Sequence, residues 1–295
     1  YMADPTTEQL LHFANADPTR TPTLTIFPPG DDFFSSGTGD SCSAGVNAGN
    51  ANVNCRSIND GFAWNHGYYN PRVDITWLGI VGPGVAVKGV DGPAPSVRPD
   101  PSQTVPHEST TGTFADESDM RVTMFALLGL QDNYQLDGRV LTEDLSFTPH
   151  ATGNPLYQPY AQCYKQLNSS VGRFGTDILL GDTIALKSGS GGDDSQYTSW
   201  SAAETSLGAQ RDGLAQTMKN QLDSAEYGSG FSPSASSELN QCNSVLASAD
   251  ALATGTAQVP VPESPWAVAL PIAGLALGGG ALLVTIRRRR GRRLA

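Results

Sequence analysis

From Trp266 to Ile286 the chain carries no charged side chain over 21 consecutive positions, and six arginines occupy the next seven. At about 1.5 Å rise per residue, a helix of that length covers the ~30 Å hydrocarbon core of a bilayer. A basic cluster at one end stays on the cytoplasmic side. The expectation is a transmembrane helix over 266–286, a basic cytoplasmic tail over 287–295, and a body outside the cell. Pro260, Pro262 and Pro265 make residues 256–265 a stiff, extended linker above the membrane.

The charge distribution agrees with that topology. Residues 1–286 hold 12 basic and 29 acidic side chains, a net charge of −17. So acidic a body offers no basic stripe for a phosphate backbone, which argues against a nucleic-acid-binding surface. Four cysteines allow three pairings. Local pairing, Cys42 with Cys55 and Cys163 with Cys242, is expected in the oxidising space outside a cell. The chain opens at Tyr1 with no leader pattern, and we expect it to be a piece of a longer protein.

Asp4 is placed to cap a short helix over 5–16, and Thr21–Phe27 alternates as a strand does. Residues 28–61 are rich in Gly, Asn, Asp and Ser and predict a long loop, closed by Cys42–Cys55 rather than built around calcium at Asp31 and Asp32. Ile75–Val81 is almost continuously apolar, as in a strand buried on both faces. Residues 86–113 read as loop and Met120–Leu130 as a helix. After Pro155 the spacing becomes helical. Leu156, Tyr160, Cys163, Leu167, Val171, Phe174 and Ile178 form a first set, Trp200 to Leu222 a second, and Leu239 to Leu252 a third. Three sets predict a three-helix stalk over 151–255, with the first and third helices parallel and Cys163 near Cys242.

Chemistry concentrates between Gly61 and Glu143. Phe62-Ala63-Trp64-Asn65-His66-Gly67 sets a histidine in a tight turn, where its ring can face a cation. Trp77-Leu78-Gly79-Ile80-Val81-Gly82-Pro83-Gly84 follows. Asp116-Glu117-Ser118-Asp119 then opens the helix bearing Met124, Leu127 and Leu128. That order resembles the C-terminal portion of the alkaline phosphatase superfamily, in its phosphodiesterase and nucleotide-pyrophosphatase-like branch. The resemblance covers roughly residues 5–145. It implies an α/β fold, with residues 1–150 as the last part of a sheet domain followed by the helical stalk and the transmembrane helix. It also implies a two-zinc site completed by His66, acting on a phosphate ester substrate. Asn65-His66 is similar, alternatively, to the family's Asp-His pair on the second metal. Glu117 stands where many members carry a histidine, and Ser118 and Asp119 are expected to cap the helix. The nucleophile, two aspartates and the remaining histidines of such a site have no match in this sequence. This chain by itself is therefore expected to be inactive, within a parent hydrolase. A non-catalytic cell-surface protein that keeps such a lobe is the alternative. His12, His107 and His150 show no metal-ligand spacing.

Overall fold

The helical spacing after Pro155 builds four helices, one more than expected. In a computed structural model, described over residues 1–28, 69, 76–89, 96–98, 109–111, 114–131, 133–188 and 193–254, the chain divides into Tyr1–Ala257 and Gln258–Ala295. The second unit lies outside the described residues. With it lie the expected linker, the 266–286 helix and the tail. Among the described residues no helix is long and apolar enough to cross a membrane.

In chain order the elements are β1 (Met2–Ala3), α1 (Pro5–Leu10), β2 (Thr25–Ile26), β3 (Ser96–Arg98), β4 (Ser109–Thr111), α2 (Glu117–Leu127), α3 (Tyr157–Asn168), α4 (Arg173–Ser188), α5 (Ser195–Tyr227) and α6 (Ala235–Ala253). Short 3-10 turns cover Pro18–Arg20, Thr142–Asp144 and His150–Gly153. The first periodic set is cut in two because Ser169 adopts extended backbone, and the Gly172 N–H bonds back to the Ser169 carbonyl at 2.9 Å. Each of α3 to α6 touches the other three. Their shared core holds Tyr160, Leu167, Phe174, Ile178, Leu207, Met218, Leu222 and Leu246. Cys163 on α3 and Cys242 on α6 form the expected disulfide, with Cα atoms 6.3 Å apart. Cys42 and Cys55 lie outside the described residues. Gly181 on α4 gives the indole of Trp200 its seat, since a Cβ there would fall 1.9 Å from the ring.

The α/β lobe expected over residues 1–150 is not what the described residues form. Their only sheets are two antiparallel pairs, β1–β2 and β3–β4, with strands of two and three residues. A doubly covered sheet needs several long neighbouring strands, and Thr76–Val81, the described part of the Ile75–Val81 stretch expected to be one, has no backbone partner among the described residues. Trp77 is 88% and Val81 97% exposed. The N-terminal residues dock on the helices instead. Asp4 caps α1 by accepting from the Thr7 N–H at 2.9 Å. Leu10 packs in the bundle core, while Leu11 joins Ala3, Phe27 and Leu179 of α4 in a small satellite core.

Candidate functional site

Of the three motifs that carry the resemblance, the described residues contain two: Trp77–Gly84, which joins no sheet among them, and the acidic turn before α2. Asp116 is the N-cap, where the sequence pointed to Ser118 and Asp119. Its Oδ1 accepts from the Ser118 N–H at 3.0 Å, and Asp119 Oδ2 accepts in return from the Asp116 N–H at 2.9 Å. This reciprocal pair satisfies donors that a helix start leaves free. Glu117, at the position that suggested a metal ligand, is exposed on the first turn.

Behind the turn the network runs into the bundle. Lys165 of α3 is 2% exposed and sets its Nζ 2.6 Å from Asp119 Oδ1 and 2.8 Å from Asp116 Oδ2. The backbone N–H of Arg139 donates to Asp119 Oδ1 at 2.8 Å. Gly138 is required for that approach, because a Cβ would lie 2.0 Å from the Ser118 carbonyl. Arg139, fully buried, forks onto Glu143 at 2.9 and 2.5 Å. Burial pushes the Asp116 carboxyl up, but the charge and hydrogen bond of Lys165 outweigh it and leave the group below its usual value. Glu143 is likewise lowered, burial being overcome by the Arg139 fork. Asp119 goes the other way. Its deeper burial, joined by the neighbouring Asp116 charge, prevails over Lys165 and Arg139. Every carboxylate in this group is engaged by protein donors, which makes it a structural clasp.

A second group of buried acids lies between α1, α4 and α5. Asp182 and Glu204 are fully buried. Thr7 Oγ1 donates to Glu204 Oε1 at 2.6 Å and stands 3.3 Å from Asp182 Oδ2, which also accepts from the Asp4 N–H at 2.9 Å. Tyr197 O–H donates to Asp4 Oδ2 at 2.7 Å. Among the described residues Asp182 Oδ1 and Glu204 Oε2 have no hydrogen-bond partner, and no cation pairs with either residue. Burial, with Asp4 and Asp182 adding like charge, raises Glu204 to about 8, and burial with Asp4 raises Asp182 to about 6. A third buried acid, Glu226 on α5, takes hydrogen bonds from Tyr157 O–H at 2.5 Å and the Val140 N–H at 2.9 Å. Burial still pushes it to about 7.

A groove of about 430 Å³ opens between the end of α1, residues 131 and 133–137, and α5, with Gln9, His12, Tyr134, Asp137, Arg211 and Lys219 among its walls. Two of its polar groups are already engaged. His12 Nε2 lies 2.8 Å from the Asn168 carbonyl. Arg211 donates to Asn168 Oδ1 and the Leu10 carbonyl, each at 3.0 Å, over the face of Phe174.

His66, the expected zinc ligand, its neighbour Asn65, and Asp31, Asp32 and His107 lie outside the described residues, and His150 is exposed on a 3-10 turn. Among the described residues no three or more His, Cys, Asp or Glu side chains are arranged to hold a metal ion. Sequence reasoning missed Lys165, Arg139, Asp182, Glu204 and Glu226. The one available signal was that Lys165, Asp182, Glu204 and Glu226 interrupt or adjoin an apolar helical face; Arg139, in an irregular connection, has no such signal. Comparison with protein-family models, curated proteins and solved structures finds no match to this chain.

Proposed function

We propose that this chain contributes a metal-binding region to a zinc-dependent phosphoesterase that works outside the cell, with His66 as a metal ligand and a phosphate ester as substrate. The observation that carries the reading is the ordered series His66-Gly67, Trp77 to Gly84 and Asp116 to Asp119. Its last member has the local form that the resemblance anticipates, an acidic turn capping a helix. In such a site two zinc ions polarise a phosphoryl oxygen and activate a hydroxyl nucleophile. The nucleophile and the other ligands must come from polypeptide outside this sequence. The uncharged run 266–286 and its arginines hold the body at the membrane with the C-terminus cytoplasmic, and the Cys163–Cys242 disulfide suits the oxidising side.

A second reading is favoured by the docking of residues 1–13 and the acidic turn onto the helices: a non-catalytic surface protein whose helical body is the functional part. One experiment separates the two. Zinc content and hydrolysis of bis(p-nitrophenyl) phosphate are measured on the native protein and its His66→Ala variant. About two zinc ions per chain, the two-metal arrangement, lost with hydrolysis in the variant, support the phosphoesterase. Absence of zinc and of hydrolysis in the native protein supports the surface module.

A further inference from the structure

Three carboxylates meet where α1 docks on α4 and α5, and among the described residues none of them pairs with a cation. Asp4 and Thr7 come from the docked segment, Asp182 from α4, and Tyr197 and Glu204 from α5. Asp4 is served on both oxygens, by the Thr7 N–H and by the Tyr197 hydroxyl. Asp182 and Glu204 are fully buried, and among the described residues each keeps one oxygen without a partner. The neighbouring charged groups are engaged elsewhere. Glu8 Oε1 accepts from the Thr25 hydroxyl at 2.6 Å, and the Tyr1 amino group donates to the Phe27 carbonyl at 2.8 Å. His12 lies on the Asn168 carbonyl, with Asp137 at 3.9 Å from its other ring nitrogen. Arg173 of α4 reaches Asp177 and Asp250, and Lys187 on its last turn is exposed. Arg211 of α5 is held by Asn168, Asp212 and the Leu10 carbonyl.

Thr7 Oγ1 stands 2.6 Å from Glu204 Oε1 and 3.3 Å from Asp182 Oδ2. A hydroxyl has one hydrogen to give. With both acids charged, that hydrogen serves only one of them, and Asp4 adds a third like charge. A proton on Glu204 resolves the conflict. The Glu204 carboxyl then donates to Thr7 Oγ1, and the threonine hydrogen turns to Asp182 Oδ2, which also accepts from the Asp4 N–H at 2.9 Å. One proton joins Glu204, Thr7 and Asp182 in a single donor–acceptor chain across α5, α1 and α4. We propose that residues 1–27 are a pH-released strap, held on α4 and α5 by the proton that Glu204, Thr7 and Asp182 share and let go when alkaline conditions remove it.

The strap is built to come away as a unit. Its sheet pairing, Met2 with Ile26 and Ala3 with Thr25, is internal to it. The helices α3 to α6 pack on one another directly. The strap grips them through two leucines set against glycines: a Cβ on Gly208 of α5 would fall 3.0 Å from Leu10, and one on Gly175 of α4 would fall 3.0 Å from Leu11. Release uncovers both seats and takes Gln9 and His12 out of the wall of the 430 Å³ groove. The sign follows from burial. Burial, with the Asp4 and Asp182 charges, raises docked Glu204 to about 8, and burial with Asp4 raises docked Asp182 to about 6. Once released into water, both return towards about 4. Docking is therefore at full strength below pH of about 4, and above it each group weakens docking by about tenfold per pH unit until its docked value is passed. This strap needs neither zinc nor hydrolysis and stands apart from the phosphoesterase reading.

The test is amide hydrogen exchange, read by mass spectrometry, on residues 1–295 at pH 6 and pH 9, each rate being divided by that of an unstructured amide at the same pH. Amides of residues 7–11 report the strap and those of residues 218–222 the bundle. Strap protection should fall about a hundredfold between the two pH values, the tenfold-per-unit loss of Glu204 over the two units up to its docked value. At pH 9 the strap should exchange well ahead of the bundle. Glu204→Gln keeps the shape of the side chain and offers Thr7 an uncharged N–H donor, so its strap should keep at least about tenfold more protection at pH 9 than the native strap does. Asp182→Asn removes the other charge and should slow the loss in the same sense, which keeps the proposal testable where Glu204→Gln does not fold. Three results overturn it: strap protection that is the same at pH 6 and pH 9; strap and bundle losing protection in step, which would mean global unfolding and not release; or variants whose straps lose protection as the native strap does.

Discussion

The four helices α3 to α6 and the stretch Thr76–Val87 are built from similarly apolar residues, yet one closes on itself and the other does not. In the bundle, Tyr157, Tyr160, Phe174, Ile178, Met218 and Leu222 are fully buried, and even the charged Lys165 is paired. In the stretch, Trp77, Val81 and Val87 stand in water, and Thr76–Val81 has no backbone partner among the described residues. The difference is one of periodicity against supply. A helix satisfies its own backbone and needs only a neighbour for its stripe. A strand needs another strand, and among the described residues none of sufficient length is available. The comparison teaches that apolar composition states what a segment requires, while its surroundings decide whether the requirement is met.

The largest effect should come from Lys165→Met. It leaves the buried Asp119 and the half-buried Asp116 without their cation, and breaking a buried pair costs about 3–5 kcal/mol. Urea unfolding of the recombinant chain measures it, and a cost below about 1 kcal/mol would show that the clasp contributes little. Next, the double variant Cys163→Ala/Cys242→Ala opens a loop of 79 residues of sequence separation. The chain-entropy picture assigns this about 2–5 kcal/mol, read as a lower unfolding midpoint with the same far-ultraviolet spectrum.

The third prediction concerns pH. Glu204, Glu226 and Asp182 are raised to about 8, 7 and 6 by burial. A carboxyl whose folded value is raised favours the fold in its protonated form. Its contribution is complete below the unfolded value of about 4 and is lost as pH climbs through the folded value. Stability should therefore fall between pH 5 and 8. Asp116 and Glu143, lowered through Lys165 and Arg139, act with the opposite sign and lose their contribution only under acid conditions, below pH of about 4. Glu204→Gln should flatten the alkaline limb and raise Tm at pH 8 by about 5 °C, equivalent to roughly 1–2 kcal/mol. A melting profile of the variant that still falls as steeply would locate the dependence elsewhere. The smallest effect belongs to the open stretch. Trp77→Ser and Val81→Asp should each change the stability of residues 1–295 by no more than about 0.5 kcal/mol, as exposed substitutions do. A larger loss would mean that the stretch is packed.

Much of the helical part was readable because period and partners are local. Asp4 as a cap, the helix after Asp116 and the Cys163–Cys242 pair follow from spacing. The fourth helix was not readable, because Val171 continues the apolar period straight through the break at Ser169–Gly172, where backbone conformation and not pattern ends α3. The Lys165 clasp escaped because its partners stand 46 and 49 residues away, and the Asp182–Glu204 group because Thr7, which joins them, is 175 residues from one and 197 from the other. Thr76–Val81 was read correctly for its composition and wrongly for its burial, since sequence carries no record of whether a partner strand is present. His66, the expected metal ligand, lies outside the described residues, so the metal chemistry stands on sequence.

The most direct test of the contrast between the closed bundle and the open stretch uses single-tryptophan variants of residues 1–295, one retaining only Trp200 and one only Trp77. Trp200 is 7% exposed and Trp77 88%. Through a urea titration, Trp200 emission should start blue-shifted and move to the red in one cooperative step, while Trp77 emission stays that of an indole in water from start to finish. A blue-shifted Trp77 that moves to the red at the same midpoint would contradict the account, because it would place the stretch inside the same closed structure as the helices.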